Sequence, residues 1–316
     1  MAPGAHTGGQ TLQLAIHVFE GVSLGSARAT RFVAIICCLC WIAGKVAPAA
    51  LAWACEPAEF PVAIDVGHDR ARPGAVSARG VQEFEFNLAL AREVLDMVRT
   101  AGFSRSVLIG ESGAPLELRE RTATAGRAGA RVLVSIHHDS VQSQYLEPWT
   151  FQGRVREHTT YARGFSLFVS AGNSFFAASK DLAVRIGAEL RATGKRPSVH
   201  HAEPIEGEAR EVIDALDGLY RFDDLVLRSA AMPAVLLEAG VIKDRDEELV
   251  VATKAFQADV AGAIWSALEQ ACTGSLPGYP AVRHNYPVSA APSLSSANAW
   301  SARPQWTASC CALTAI

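Results

Sequence analysis

Short apolar segments alternate along this chain with longer segments in which apolar residues recur at helical spacing, and this alternation constrains the fold most. The short segments predict strands, and the longer ones predict amphipathic helices. Alternating strands and helices form an α/β sandwich, a single three-layer domain with a largely parallel sheet and helices on both faces. The predicted strands are 61–66, 105–110, 131–136, 164–170, 224–228 and 234–240, and the predicted helices are 83–100, 116–128, 179–193 and 247–270.

The N-terminal residues have the features of an export signal. Arg28 and Arg31 precede an apolar run at 32–43, and small residues follow it, as in a secretory signal peptide. The run is shorter than the roughly 20 residues of a membrane span, and an uncleaved anchor is the alternative. We therefore predict a signal peptide with a long n-region over 1–54, contact with the membrane through that segment alone, and a periplasmic or secreted protein.

Two cysteines bracket the predicted folded region, and the composition changes after the second of them. Exported proteins form disulfides, so we hypothesise a bond between Cys55 and Cys272, with two free thiols as the alternative. Cys55 also allows a lipoprotein, although Trp53 stands where such signals have a small residue. Pro, Ser and Ala dominate 273–316, which predicts a disordered tail and leaves 55–272 as one domain.

The charge balance excludes one broad class of function. The chain has 29 Lys and Arg residues against 32 Asp and Glu residues, and its net charge is −3 at pH 7. A general nucleic-acid binder needs a clear basic excess to neutralise phosphates. No nucleic-acid partner is therefore expected.

Four polar residues stand at strand ends or at a helix start. His68 follows the first strand, Glu83 begins the first helix with Glu85 two residues later, His137 follows the strand 131–136, and Glu238 stands at the end of the apolar run 234–238. Ligands of such sheets gather at the carboxyl ends of the strands. Two imidazoles and one carboxylate are the ligand set of a catalytic zinc ion, and a further carboxylate is then available as a general base. Taken singly, each of these residues also has an ordinary structural explanation.

Four segments stand in this order along the chain: IDVGHDRARPGA (64–75), RGVQEFEFNLALAREV (79–94), LELRERTATAGRAGARVLVSIHHDS (116–140) and MPAVLLEAGVIKDRDEE (232–248). Together they resemble the zinc-dependent N-acetylmuramoyl-L-alanine amidases of the amidase-3 type, which are bacterial cell-wall hydrolases. The resemblance covers about 61–270, and it implies a single α/β domain with a mixed, mainly parallel sheet. It also implies peptidoglycan as the partner and substrate.

The resemblance implies roles for individual residues. His68, Glu83 and His137 correspond to the ligands of one zinc ion per chain, and Glu238 corresponds to the catalytic carboxylate. Arg121 falls where the family has an arginine with a structural or substrate-orienting role. The chain departs from the family pattern after His68, where Asp69, Arg70, Ala71 and Arg72 replace a glycine-rich stretch, which predicts a bulkier and more charged rim beside the metal.

One acidic segment is a candidate for regulation. Residues 203–218 show roughly helical spacing of apolar residues, and some amidases of this kind carry a helix hereabouts that blocks the zinc ion. Glu206, Glu208 and Glu211 are the candidate autoinhibitory residues, and a protein activator would then relieve the block. The alternative is a solvated surface helix. The neighbouring pair His200 and His201 is expected to have no role beyond adventitious metal binding.

Two other functions remain open. The first is a non-catalytic peptidoglycan-binding protein on an amidase scaffold, and the second is another zinc amide hydrolase, such as a carboxypeptidase-like enzyme. A lysozyme-like glycosidase needs two facing carboxylates and no metal, so sensitivity to a chelator separates it from the zinc enzymes.

Overall fold

The computed structural model of the chain describes residues 55–280, and nine strands and six α-helices lie in that range. The predicted signal peptide and most of the predicted tail lie outside the described residues. The strands are β1 (Val62–Val66), β2 (Val107–Ile109), β3 (Val132–Asp139), β4 (Glu147–Phe151), β5 (Arg154–His158), β6 (Ser166–Val169), β7 (Val212–Asp214), β8 (Leu219–Arg221) and β9 (Ala234–Val241). The helices are α1 (Glu83–Thr100), α2 (Leu118–Arg127), α3 (Phe176–Ala192), α4 (Leu225–Ser229), α5 (Glu247–Val251) and α6 (Lys254–Gly274).

Seven strands form one mixed sheet in the order β2-β1-β3-β9-β6-β8-β7. The pairs on the β2 side, β1–β2, β1–β3 and β3–β9, are all parallel. On the other side β6 runs antiparallel to β9 and parallel to β8, and β7 runs antiparallel to β8. The sheet is thus mainly parallel, as predicted. The parallel centre brings the carboxyl ends of β1, β3 and β9 to one edge.

Alternate residues of the central strands pack against helices on opposite faces of the sheet, because successive side chains of a strand point to opposite sides. Val62, Ile64 and Val66 belong to a core shared with α1, α3 and α6. Ala63 and Leu133 belong to a second core, which α2 and α4 cover. The three-layer architecture with helices on both faces is therefore confirmed.

The prediction of a strand at 224–228 is wrong, because residues 225–228 lie in α4 and Asp224 precedes that helix as its N-cap. A short apolar run fits a strand and a buried helix equally well. The sequence signal for a helix is Asp224, whose carboxylate accepts hydrogen bonds from the backbone N–H groups of Val226 (2.7 Å) and Leu227 (3.3 Å). An N-cap of this kind satisfies donors that the first helical turn leaves unpaired.

The helix expected in 203–218 is also absent, because that segment consists of turns and irregular backbone interrupted by the short strand β7. Gly207 and Ala209 have φ angles of 84° and 57°, and such left-handed conformations end a right-handed helix. The predicted helix 247–270 is in fact two helices, α5 and α6. The sequence analysis identified neither the hairpin of β4 and β5 nor the strands β7 and β8.

A disulfide joins the two ends of the domain. Cys55 and Cys272 are bonded with their Cα atoms 5.3 Å apart, as hypothesised. Just beyond α6, the ring of Tyr279 packs edge-on against Phe175 at 4.9 Å and beneath the guanidinium of Arg131 at 4.5 Å. The folded domain therefore extends a few residues into the predicted tail. Within 55–280, no helix has the length and apolar character required to cross a membrane.

Replacing both Cys55 and Cys272 with serine is expected to lower the free energy of unfolding by about 2–4 kcal/mol, because the crosslink restricts the unfolded chain over a long loop. Denaturant unfolding of the oxidised wild type and of the double variant measures the difference. Reduction of the wild type should reproduce the loss and should leave the double variant unchanged. Equal stability of all three samples would contradict a structural role for this bond.

Candidate active site

His68 lies in the turn that follows β1, and two glycines give it room. His68 itself has a φ angle of 67°, which is uncommon for a residue other than glycine. A Cβ atom at Gly67 would come within 3.0 Å of the His137 ring, and one at Gly74 would come within 3.0 Å of Glu83 and His68. The glycines at these positions thus allow the close approach of the three polar side chains.

Glu83 lies between the two imidazoles, in the first turn of α1. Its Oε2 is 3.1 Å from Nε2 of His68, and its Oε1 is 3.2 Å from Nδ1 of His137. The backbone N–H of Ala75 donates to Oε2 at 2.9 Å. Burial raises the pKa of Glu83, but the hydrogen bonds to His137 and His68, with their charges, outweigh it and hold the pKa well below its usual range. Glu83 is therefore a carboxylate poised between two nitrogen donors.

A buried amide and imidazole hold the Glu83 carboxylate in place. Nδ2 of Asn87 donates to the Gly67 carbonyl and to Oε1 of Glu83, both at 3.1 Å. Oδ1 of Asn87 is then left to accept from Nδ1 of His138 at 2.9 Å. Burial lowers the pKa of His138 to about 4, so the ring stays neutral at pH 7. The sequence analysis did not identify Asn87, although it lies one helical turn after Glu83 on the same face of α1.

His137 and Glu238 are neighbours across the sheet. The register of β3 and β9 pairs His137 with Glu238 and Ser135 with Leu236. These side chains line one cleft together with Asp65, which is on β1. Burial raises the pKa of Glu238 well above 4.5, and the nearby carboxylates of Asp139 and Glu83 raise it further. Its Oε2 is buried and has no hydrogen-bond partner, which leaves this atom free to act as a proton acceptor.

Arg121 supports the loop that carries His68. Its guanidinium, 3% exposed, forms an ion pair with Asp65 at 2.8 Å and donates to the backbone carbonyls of Val66 and His68. Asp65 is also buried, and the hydroxyl of Ser135 donates to its second oxygen at 2.8 Å. The two hydrogen bonds to the carbonyls of Val66 and His68 fix the backbone just before His68 and at His68 itself. This favours a positioning role for Arg121.

The cleft beside His68, His137 and Glu238 is open to solvent and has a volume of about 390 Å³. The segment that replaces the family's glycine-rich stretch forms part of its wall. Asp69 accepts hydrogen bonds from the guanidinium of Arg72 at 2.9 and 3.2 Å, and the hydrogen bonds from Arg72 lower the pKa of Asp69 against the effect of burial. This side of the cleft is therefore rigid and charged.

The three glutamates of the acidic segment lie apart from His68 and His137. Glu206 and Glu211 are exposed, and Glu211 pairs with Arg221 at 3.0 Å. Glu208 lines a second cavity of about 200 Å³, which Glu238 also lines. None of the three belongs to the group formed by His68, Glu83 and His137.

The residues present at this edge fit a zinc ion. One nitrogen from each of His68 and His137 and one oxygen of Glu83 lie within 4.8 Å of one another. Neutral imidazoles and a carboxylate are typical zinc ligands, and three protein ligands leave a fourth position for a water molecule. The crowding at Gly67 and Gly74 supports this fit, because the side chains converge only where both residues lack a Cβ atom.

Comparison with known proteins gives the family. The sequence pattern of the family Amidase_3, described as N-acetylmuramoyl-L-alanine amidase, matches residues 62–270. The chain belongs to this family. It is therefore an amide hydrolase by class, and the matched residues include the whole His68, Glu83, His137 and Glu238 group.

Individual relatives in the family are distant in sequence. The chain is 23% identical over 223 residues to a putative N-acetylmuramoyl-L-alanine amidase of Buchnera aphidicola, a match that covers 66% of this chain and 94% of that protein. It is 26% identical over 231 residues to the probable N-acetylmuramoyl-L-alanine amidase AmiB of Haemophilus influenzae, covering 67% of this chain and 52% of that protein. The chain thus spans about half the length of the second relative.

Solved structures share the fold. The catalytic domain of CwlV, an N-acetylmuramoyl-L-alanine amidase from Bacillus (Paenibacillus) polymyxa, is 27% identical with a TM-score of 0.50, covering 67% of this chain and 97% of that domain. Ami1, an N-acetylmuramyl-L-alanine amidase from Mycobacterium smegmatis, is 20% identical with a TM-score of 0.53, and the match covers 68% of this chain and 97% of that protein. The family match, together with these neighbours, places the candidate site in an amidase catalytic domain.

Proposed function

We propose that this protein is a zinc hydrolase that cleaves the amide bond between the lactyl group of N-acetylmuramic acid and L-alanine in peptidoglycan. The observation that carries the proposal is the group His68, Glu83 and His137, which lies beside a buried carboxylate, Glu238, in an open cleft. The family supplies the substrate class, and the geometry supplies a ligand set and a proton acceptor for hydrolysis.

The chain's own residues divide the work of the reaction. His68, Glu83 and His137 would hold the zinc ion, which would supply Lewis-acid chemistry to the scissile carbonyl and lower the pKa of a bound water towards about 7. Glu238 accepts the proton of the attacking water and returns it to the amine of L-alanine as that amine leaves. Asn87 and Arg121 act through other residues, because they hold Glu83 and the His68 turn in position.

Two features of the chain, its N-terminal export signal and its disulfide, fit a substrate that lies outside the cytoplasm. Peptidoglycan lies outside the cytoplasm, the N-terminal sequence has the pattern of a signal peptide, and Cys55 and Cys272 form a disulfide, as exported proteins commonly do. We therefore propose a periplasmic or secreted enzyme whose partner is the cell wall.

Of the three glutamates in the acidic segment, we propose a regulatory role for Glu208 alone. Glu208 accepts hydrogen bonds from His201 at 2.9 Å, within its own loop, and from the side-chain amide of Gln142 at 3.1 Å, so it ties the loop 200–210 to the segment after β3, beside the cavity that Glu238 also lines. We propose that a protein activator, if the enzyme uses one, acts by displacing this loop. Glu206 and Glu211 take no part in the site.

Digestion of purified peptidoglycan tests the proposed function. Mass spectrometry of the products should show stem peptides with a free L-alanine amino terminus, together with glycan strands that carry intact lactyl groups. Release should stop after a chelator removes the metal and should return when Zn²⁺ is added. New reducing sugar ends would instead indicate a glycosidase, released D-alanine would indicate a carboxypeptidase, and wall binding without any product would indicate a binding protein.

A further inference from the structure

A second group of metal-ligating side chains lies next to the candidate active site. Asp139, at the end of β3, lies beside His200 and His201, which form a 3₁₀ turn about 60 residues later in the chain. Oδ2 of Asp139 is 2.9 Å from Nε2 of His201 and 3.4 Å from Nε2 of His200. One ligand atom from each of the three residues lies within 4.8 Å of the other two, and all three residues are buried.

Hydrogen bonds fix both imidazole rings so that Nε2 points into this group. Nδ1 of His201 is 2.9 Å from Oε2 of Glu208, and Nδ1 of His200 is 2.7 Å from the hydroxyl of Ser198. Metal-ligating histidines in proteins almost always use their second nitrogen in this way, to donate to a carboxylate or another oxygen. Here both rings have such a partner.

The aromatic surroundings also suit a ligand site. The ring of His201 packs edge-on against Phe168 at 4.9 Å and against Tyr220 at 5.5 Å. The hydroxyl of Tyr220 donates to the backbone carbonyl of Ser198 at 2.8 Å, which fixes the chain just before His200. Apolar walls of this kind limit the access of solvent to a bound ion.

Ion pairs of His201 with Asp139 and Glu208 leave one buried nitrogen of this group, Nε2 of His200, without a hydrogen-bond partner. Glu208 and Asp139 on either side of His201 offset the effect of burial and raise the pKa of His201 to about 9, so in the absence of another cation a protonated His201 bridges the two carboxylates. His200 is different, because burial lowers its pKa. Its Nε2 is buried, faces Asp139 and makes no hydrogen bond. A bound cation would give this nitrogen a partner.

We propose that Asp139, His200 and His201 form a second transition-metal site, and that Zn²⁺ is the ion that fits it best. Binding of the ion releases the proton of His201, and the two imidazoles and one carboxylate then repeat the donor set of the His68, Glu83 and His137 group. This donor set suits zinc better than magnesium or calcium, which prefer oxygen ligands. Arg210 pairs with Glu208 and approaches His201 at Nδ1, 3.3 Å away. It therefore leaves the Nε2 side of the ring clear.

The second site lies beside Glu238, the proposed proton acceptor of the reaction. Asp139 and His201 line the same cavity as Glu238 and Glu208, and Glu238 also lines the cleft of the first group. A cation held here ties the loop that contains His200 to the end of β3, two residues from His137. The second site thus organises the wall of the cavity beside the proton acceptor.

Counting bound metal in the full chain tests the proposal independently of any activity. Metal-free protein is equilibrated with Zn²⁺, passed through gel filtration and analysed for zinc by mass spectrometry. We expect two ions in the wild type, one in His200→Ala, one in His137→Ala and none in the double variant. His158→Ala, a buried histidine outside both groups, is the matched control and should keep two.

Cobalt substitution identifies which site is filled. Co²⁺ bound to His137→Ala should give visible d–d absorption, and the additional change His200→Ala should abolish it. Ser198→Ala removes only the hydroxyl beside His200 and should weaken binding to the His137→Ala protein by about 10–100-fold, which covers the case in which His200→Ala fails to fold. A His137→Ala protein that binds neither ion overturns the second site. Retention of one ion in that variant supports it even if the proposed amidase reaction fails.

Discussion

Replacing Glu238 with glutamine is expected to slow release of L-alanine-terminated peptides by about 10²–10⁴-fold, the usual contribution of a general acid–base group. Glutamine has nearly the same size, so the packing of β9 against β3 should persist. Its amide cannot accept a proton from water at neutral pH. The rate of peptide release from peptidoglycan, measured with the zinc content of the same sample, separates a loss of catalysis from a loss of metal.

The matched control for this change is Glu120→Gln on α2, because Glu120 is half-exposed and pairs with Arg127 rather than with the cleft. It should keep the wild-type rate and zinc content. An active Glu238→Gln enzyme would show that another group accepts the proton. Loss of zinc together with activity would instead assign Glu238 to the metal-binding group.

Replacing Glu83 with glutamine is expected to remove zinc from the first site and to abolish peptide release. The change exchanges a buried carboxylate, 4% exposed, for a neutral amide of nearly the same shape. Amides are not among the usual zinc ligands, whereas carboxylates are. Equilibrium dialysis should count one zinc ion fewer than in the wild type, and circular dichroism should show that the fold is kept.

A neighbouring glutamate in the same helical turn provides the control for Glu83. Glu85 is partly exposed and pairs with Arg70 at 2.8 Å, so Glu85→Gln should leave the zinc content unchanged. Asn87→Ala removes a hydrogen bond to the Glu83 carboxylate and should lower zinc affinity by about 10–100-fold. Zinc binding that survives in Glu83→Gln and is lost in Glu85→Gln would show that Glu85, and not Glu83, is the ligand.

The sequence predicted the central strands correctly because their residues are apolar on both sides. Strands β1, β3 and β9 are buried along nearly their whole length, and such strands give continuous apolar runs. The short edge strands β7 and β8 and the hairpin of β4 and β5 lack this pattern. They depend on pairing with partners that are set by the fold, so no local signal marked them.

Each candidate ligand of the first site could be identified from sequence because it lies near the carboxyl end of a central strand or begins a helix. Parallel strands bring such residues together without further information. The second group behaves differently. His200 and His201 lie in a loop between α3 and β7, and only the docking of that loop brings them to Asp139.

The sequence by itself predicted the layered α/β fold and the candidate zinc ligands, because apolar periodicity and position at strand ends are local properties of the chain, and it left the cysteine pair as a hypothesis. The tertiary structure alone decided how Glu83 lies between two imidazoles, that Arg121 is buried against Asp65, and that Glu208 contacts His201 rather than the first group. These arrangements depend on backbone positions far apart in sequence and on glycines such as Gly67, where the absence of one carbon atom allows His137 to approach.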